Sequence, residues 1–391
     1  MLLSISLMLL MGMFLGWVCK KLRLPSLLGM MFTGVILGPY VLNLIDESIL
    51  NISAELRRIA LIIILTRAGL TLNIHDLKKV GRPAILMCFI PASFEIIGMI
   101  ILAPKLFEVS VLEAAIMGSV VAAVSPAVIV PKMIRLIEKG YGVKKGIPQL
   151  ILAGASVDDV FVIVLFAAFT GLAQGERISV VSFLNIPVSI LLGIVIGFLI
   201  GFIMAKFFEK VHIRDTAKVI IMLSISFVLV TLEDTITGAI TFSALISIMF
   251  IGIAMQKYRK EASTRLSLKF NKLWVCAEIF LFVLVGATVD LHYVTGAAIS
   301  TILLLFGILC FRTLGVFLCL LHTELTLKER LFCMLAYMPK ATVQAAIGSV
   351  PLAMGLKCGN IVLTVAVMAI LITAPLGAFF IEATYKKLLK G

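Results

Sequence analysis

The sequence predicts an all-α, polytopic membrane protein of about thirteen spanning helices, built as two inverted repeats that each contain one interrupted helix. Three observations carry that prediction. Of 391 residues, 61% are hydrophobic and 14% charged, whereas soluble proteins carry about 25% charged residues. The apolar residues gather in runs near the ~20 residues that cross a bilayer. Basic residues alternate from one side of successive runs to the other, as they do in the loops of membrane proteins.

The runs are 2–18, 25–44, 57–73, 83–104, 113–136, 147–172, 183–207, 217–233, 238–256, 271–289, 297–321, 330–355 and 359–385. Lys20, Lys21 and Arg23 follow the first run rather than precede it, so it reads as a retained helix and not as a signal peptide. Arg67 lies near the inner end of the third run, where a long basic side chain can snorkel to the interface. The fourth run holds Glu95, the fifth two prolines, the sixth the doublet Asp158-Asp159. The eighth and ninth are separated only by Glu233-Asp234. Glu278 in the tenth is within two turns of a basic loop. The eleventh contains Arg312, the twelfth Pro339, Lys340 and Pro351, and Glu382 sits in the last turns of the thirteenth, at the interface.

With the N-terminus outside, 26 of the 34 lysines and arginines fall inside, 5 fall outside, and Arg67, Arg312 and Lys340 remain in the membrane. One helix more or fewer would scramble that alternation. The same loops account for the net charge of +13, so a nucleic-acid partner is not expected. The expected surroundings are membrane lipids, in the inner membrane of a bacterium. None of the seven cysteines shows C-x-x-C spacing; they read as small buried side chains. His75, His212, His292 and His322 fall in loops or at segment ends, with no ligand spacing. Neither a cofactor nor an enzymatic activity is expected.

The fifth run reads Met117-Gly-Ser-Val-Val-Ala-Ala-Val-Ser-Pro-Ala-Val-Ile-Val-Pro131, and the twelfth Tyr337-Met-Pro-Lys-Ala-Thr-Val-Gln-Ala-Ala-Ile-Gly-Ser-Val-Pro351. Proline removes a backbone donor and breaks a helix. Inside a membrane, freed backbone groups persist only when buried in protein or lining a wet cavity. Runs five and twelve are an odd number apart, so they cross in opposite directions. Paired interrupted helices of opposite direction point to a transport site near the midplane; the plainer alternative is a proline kink in each.

Charge at membrane depth costs roughly 3 kcal/mol per residue on insertion scales and marks functional sites by default. Runs four and eleven are also repeat mates, which predicts an ion pair between Glu95 and Arg312; the alternative is that each faces its own wet cavity. Lys340 could hold a proton, pair with the aspartates, or neutralise carbonyls where the helix breaks. Adjacent helical residues diverge by about 100°, so one of Asp158 and Asp159 can face a cavity while the other turns to a neighbour. A small hard cation wants several oxygens, and Asp158, Asp159, Ser125, Ser156 and Thr342 can supply them. A metal ion such as Na⁺ and a proton would then exclude each other at one place, the least that an exchange reaction needs. The two aspartates titrate as a pair.

These residues resemble the cation:proton antiporters, and most closely the NHA-type sodium/proton antiporters. The likeness rests on Ser125-Pro126-Ala127-Val128, Val157-Asp158-Asp159-Val160, Arg312 and Pro339-Lys340-Ala341-Thr342-Val343-Gln344-Ala345-Ala346, in this order, and spans nearly the whole chain. It implies the NhaA-like fold with crossed interrupted helices and elevator-like alternating access. It also implies a core of about 83–172 and 297–385, a dimer and linker part of about 1–82 and 183–289, and a homodimer. Asp159 would be the ion-binding aspartate and Asp158 its partner, with Lys340, Arg312 and Glu95 compensating charge. The chain departs from the branch with Asn before the Asp and from an Asp on the fifth helix, where it has Ser125; the stoichiometry is left open. The expected activity is exchange of Na⁺ or Li⁺ for H⁺. A K⁺/H⁺ antiporter and a Na⁺-coupled solute carrier are alternatives. An intramembrane aspartyl protease needs its two aspartates on different helices, and no selectivity-filter motif suggests a channel.

Overall fold

A computed structural model describes residues 1–22, 24–71, 81–173, 180–211, 213–235, 242–289 and 291–390. Arg23, His75 and His212, placed in loops or at segment ends above, lie outside the described residues, as does the His292 side chain. All regular structure among the described residues is helical. In chain order the helices are α1 (Leu2–Lys21), α2 (Ser26–Leu37), α3 (Glu47–Asn51), α4 (Ser53–Thr71), α5 (Arg82–Met87) and α6 (Ile90–Phe107). There follow α7 (Val111–Val121), α8 (Pro126–Glu138), α9 (Ile147–Ala173), α10 (Val180–Lys210), α11 (Asp215–Thr235) and α12 (Ala244–Tyr258). The chain ends with α13 (Lys260–Ala287), α14 (Leu291–Cys319), α15 (Leu327–Ala336), α16 (Thr342–Ile347), α17 (Val350–Ala353) and α18 (Gly359–Leu388). Among the described residues, nine spans are long and apolar enough to cross a membrane, and three shorter apolar helices accompany them. The protein is therefore a multi-pass integral membrane protein.

Two boundaries differ most from the sequence expectation. The second run stops being helical at Leu37, because Gly38 and Pro39 follow and a residue before proline is driven out of the α region. The helix of the tenth run, α13, starts at Lys260, well before 271. Ala262, Leu266, Phe270 and Trp274 recur every fourth residue and are all buried, which gives that basic stretch one apolar face.

The chain divides into two compact units. One holds Arg58–Asp76 and Gln174–Glu278. Within it, the Ser247 hydroxyl of α12 donates to the Gly193 carbonyl of α10 at 3.0 Å. Arg58 and Asp234 form a two-pronged ion pair at 2.7 and 2.8 Å.

The other unit holds Met1–Arg57, Leu77–Ala173 and Ile279–Gly391, and every charged or hydroxyl site residue named above belongs to it. Here α7 begins with a capping box, Ser110 and Glu113 each satisfying the other's backbone amide, and α15 begins with the same device in Thr326 and Glu329. Such boxes satisfy the otherwise unpaired donors of a first turn. α6 and α14 pack closely because small residues face large ones. A Cβ on Gly98 would come within 2.7 Å of the Phe311 ring, and one on Gly315 within 2.9 Å of the Pro91 Cα. Small residues let helix backbones approach in a membrane, and this contact brings Glu95 of α6 level with Arg312 of α14. Below it, Met87, Val124, Ile129, Met133, Ile151 and Tyr337 belong to one buried apolar cluster.

Candidate functional site

The two proline-bearing runs are both broken. The fifth stops at Val121 and resumes at Pro126; the twelfth stops at Ala336 and resumes at Thr342. Pro126 takes the first position of α8, where its missing N–H would have had no partner anyway. The breaks touch: the Ser125 amide donates to the Pro339 carbonyl at 2.8 Å. Room for Pro339 comes from α18, where a Cβ on Gly377 would overlap the proline ring.

Broken chain in a dry interior must find partners for its backbone groups, and side chains supply them. Gln344 Nε2 donates to the Val121 and Ala123 carbonyls, each at 2.9 Å. Arg312 Nη1 donates to the Ala122 carbonyl between them, and its Nε to the Tyr337 carbonyl at 2.7 Å. The Val124 amide donates to Asp158 Oδ2 at 2.8 Å. The Lys340 amide donates to Thr373 Oγ1 at 2.9 Å.

The same residues form a chain of four buried charges. Arg312 Nη2 reaches Asp158 Oδ2 at 3.0 Å and its Nη1 reaches Glu95 Oε2 at 2.7 Å; Lys340 Nζ reaches the same Glu95 oxygen at 2.6 Å. All four side chains are at most 1% exposed. Two positive and two negative groups cancel, which is what makes burial tolerable, since an unpaired buried charge is strongly unfavourable. The Tyr337 ring packs against the Arg312 guanidinium at 5.0 Å, and its hydroxyl donates to the Met87 carbonyl.

The Glu95–Arg312 contact read from the sequence is present, but it is part of a larger assembly. Lys340 meets Glu95, not the aspartates. Arg312 adds Asp158 and two carbonyls to the one partner expected of it. Asp159 stands next to this balanced group with no counter-charge within ion-pair distance among the described residues, and its Oδ1 is shielded yet accepts no hydrogen bond. Ser125 Oγ, Thr342 Oγ1 and Asp158 Oδ1 are likewise buried without hydrogen-bond partners among the described residues. Ser156 lies on α9 one residue before Val157, but its side chain is outside the described residues. No group of three or more His, Cys, Asp and Glu suited to a metal ion occurs among the described residues; a cation here would draw on hydroxyl and carbonyl oxygens as well. Sequence reading missed Gln344, Tyr337 and Thr373 as builders of the crossing. Gln344 carried a signal, being an amide in an otherwise apolar stretch one helical turn after Lys340.

Chemically, an ionised Asp159 would be the one net charge of the group. At 4 Å and an effective dielectric near 20, one counter-charge is worth about 4 kcal/mol. A proton or a small cation can supply it, but not both on the same oxygen.

Known proteins are similar to this chain along most of its length. Residues 5–387 match the family described as sodium/hydrogen exchanger, transmembrane. The chain is 32% identical to sodium/hydrogen exchanger 9B2 of Homo sapiens over 382 residues, 94% of this chain and 70% of that protein. It is 31% identical to sodium/hydrogen exchanger 9B1 of Homo sapiens over 387 residues, 94% and 73% respectively. The fold is similar to that of a sodium proton antiporter from Methanocaldococcus jannaschii solved at pH 8, with a TM-score of 0.85 and 21% identity over 98% of this chain and 97% of that one.

Proposed function

We propose that this chain, which belongs to the sodium/hydrogen exchanger family of the cation:proton antiporters, exchanges a monovalent cation for protons, with Asp159 as the shared binding group. The observation that carries the proposal is the placement of Asp159 beside a charge cluster that is already neutral. Asp158 is held by Arg312 and by the Val124 amide. Asp159 has no such tie, so its charge is what a proton or a metal ion would balance. Ser125, Thr342 and Asp158 offer further unpartnered oxygens, and Ser156 is a further candidate ligand. Lys340, Arg312 and Glu95 compensate charge.

Two loaded states, one with the cation and one with the proton, are each near neutral and can cross a low-dielectric barrier; an empty ionised site is disfavoured. That rule couples the two fluxes through alternating access. In this reading the thirteen spans expected from the apolar runs form the inverted repeats that the family likeness implies. A core of about 83–172 and 297–385 moves as one body in an elevator-like step, and 1–82 with 183–289 forms the dimer and linker part of a homodimer. The N-terminus is outside and the C-terminus cytoplasmic. The human relatives lend no support to a bacterial membrane, so the proposed location is a cell membrane without further specification.

Na⁺ or Li⁺ is the proposed substrate, K⁺ the competitor. Purified protein in sealed vesicles with an imposed pH gradient tests both. Added Na⁺ or Li⁺ is expected to dissipate the gradient, and Asp159→Asn to abolish that response while the protein keeps its melting profile. Normal exchange by Asp159→Asn would remove Asp159 from the site. A response to K⁺ alone would replace the sodium reading.

A further inference from the structure

We propose that Gln344 is a positioning residue for exchange: its amide locks the carbonyl end of α7 to α16 and so holds the unpartnered hydroxyls of Ser125 and Thr342 at the spacing a cation needs. This rests on the exchange reading above and adds a residue to it.

Three consecutive carbonyls, those of Val121, Ala122 and Ala123, follow the last turn of α7, where a helix presents unpaired acceptors and partial negative charge. Arg312 takes the middle one. The outer two go to a single nitrogen, Gln344 Nε2, at 2.9 Å each. Only a primary amide offers two donors on one neutral nitrogen; Lys and Arg offer more, but with charge. The cluster of Glu95, Asp158, Arg312 and Lys340 already balances, so a third cation there would leave a net positive group beside the site. Asn carries the same amide on a shorter stem and cannot reach both carbonyls from the same backbone position.

The geometry links the two hydroxyls. Ser125 comes two residues after Ala123, and its amide bonds Pro339. Thr342 comes two residues before Gln344, at the start of α16. Gln344 is 1% exposed, and its Oε1 has no hydrogen-bond partner among the described residues, so the hydrogen bonds its side chain makes there are the two to the other break. Removing them loosens the Val121–Ala123 stretch from α16 while the bonds to Arg312, Asp158 and Pro339 stay in place, and it alters no charged residue. Gln344 itself need not meet the cation.

The test compares wild type with Gln344→Leu and Gln344→Glu in vesicles, reading the cation KM, the maximal rate, the pH profile and the melting temperature. Gln344→Leu is expected to raise the cation KM by about thirtyfold, the equivalent of two ordinary hydrogen bonds lost from the loaded state, with a smaller change in maximal rate. Gln344→Glu has nearly the same shape. Its ionised carboxylate repels the two carbonyls, and its protonated form restores one donor, so activity is expected only on the acid side of the wild-type profile. That profile decides the matter if the Leu variant does not fold. A wild-type KM in Gln344→Leu together with a wild-type pH profile in Gln344→Glu overturns the proposal and leaves the exchange reading intact. Rate and melting temperature falling together at unchanged KM also overturn it, since that is the mark of a merely structural residue. Absence of cation-driven exchange in wild type removes both readings.

Discussion

The backbone amide of Ser125 donates to the carbonyl of Pro339 at 2.8 Å, so the two breaks in the helices are bonded to one another and not to water or lipid. Each break leaves polar groups that the other, or a buried side chain, satisfies. The site residues are thus held by the accounting of backbone hydrogen bonds as much as by charge.

Because Ser125 Oγ and Thr342 Oγ1 bond nothing among the described residues, removing them sacrifices no hydrogen bond made there. Ser125→Ala and Thr342→Ala are expected to leave the melting temperature unchanged or slightly raised. Each should weaken apparent cation affinity by about three- to tenfold, a neutral oxygen ligand being worth about as much as a hydrogen bond. Transport KM in vesicles, measured beside a melting curve, separates the two effects. A drop in stability without a change in KM would count against their role as ligands.

The four-charge cluster makes a signed prediction about pairs. Glu95→Gln leaves Arg312 and Lys340 facing only Asp158, and breaking a buried pair costs about 3–5 kcal/mol. Glu95→Gln with Lys340→Gln removes one charge of each sign and keeps Arg312 with Asp158. The double variant is expected to be more stable than Glu95→Gln alone, with a coupling of about 1–3 kcal/mol in a double-mutant cycle on denaturation. Additive losses would show that Lys340 and Glu95 do not neutralise each other.

Gly377 on α18 leaves no room for a Cβ against Pro339. Gly377→Val should therefore push the twelfth-run break away from α18, at a cost of about 1–3 kcal/mol for overpacking, and disturb the Lys340 amide bond to Thr373. Exchange is expected to fall more steeply than stability. A fully active Gly377→Val would mean that the position of Pro339 is not critical.

Glu329 precedes the twelfth apolar run and lies outside the membrane-spanning segments. Hydrogen bonds from Lys145 at 2.9 Å and from the Thr326 amide at 2.7 Å hold its carboxyl below the usual glutamate range, although burial opposes them. A depressed folded-state value means the stabilisation is present at neutral pH and disappears as the pH falls through that value. Glu329→Gln is expected to cost about 1 kcal/mol at pH 7, the usual worth of a helix cap, and nothing once the pH has fallen through the depressed folded value, where the carboxyl is protonated in both states. Melting temperatures of both proteins across that interval check it. A difference that persists in acid would assign the effect to shape and not to charge.

The sequence by itself determined the class, the lengths of most spans and the positions of the two breaks, because hydropathy and proline act within a few residues of where they stand. It also singled out Glu95, Asp158, Asp159, Arg312 and Lys340, since charge inside an apolar run stands out without reference to anything else. Only the tertiary structure decided the pairing: that Lys340 serves Glu95, that Arg312 joins Glu95, Asp158 and two carbonyls, that Gln344 closes the end of α7, and that Asp159 is left over. Those contacts join residues from five helices and the two breaks, many of them far apart in the chain. Which donor meets which acceptor depends on how closely the helices approach, at Gly98 and Gly315 between α6 and α14 and at Gly377 behind Pro339. Close approach is a property of packed surfaces in three dimensions, and a one-dimensional pattern carries no measure of it.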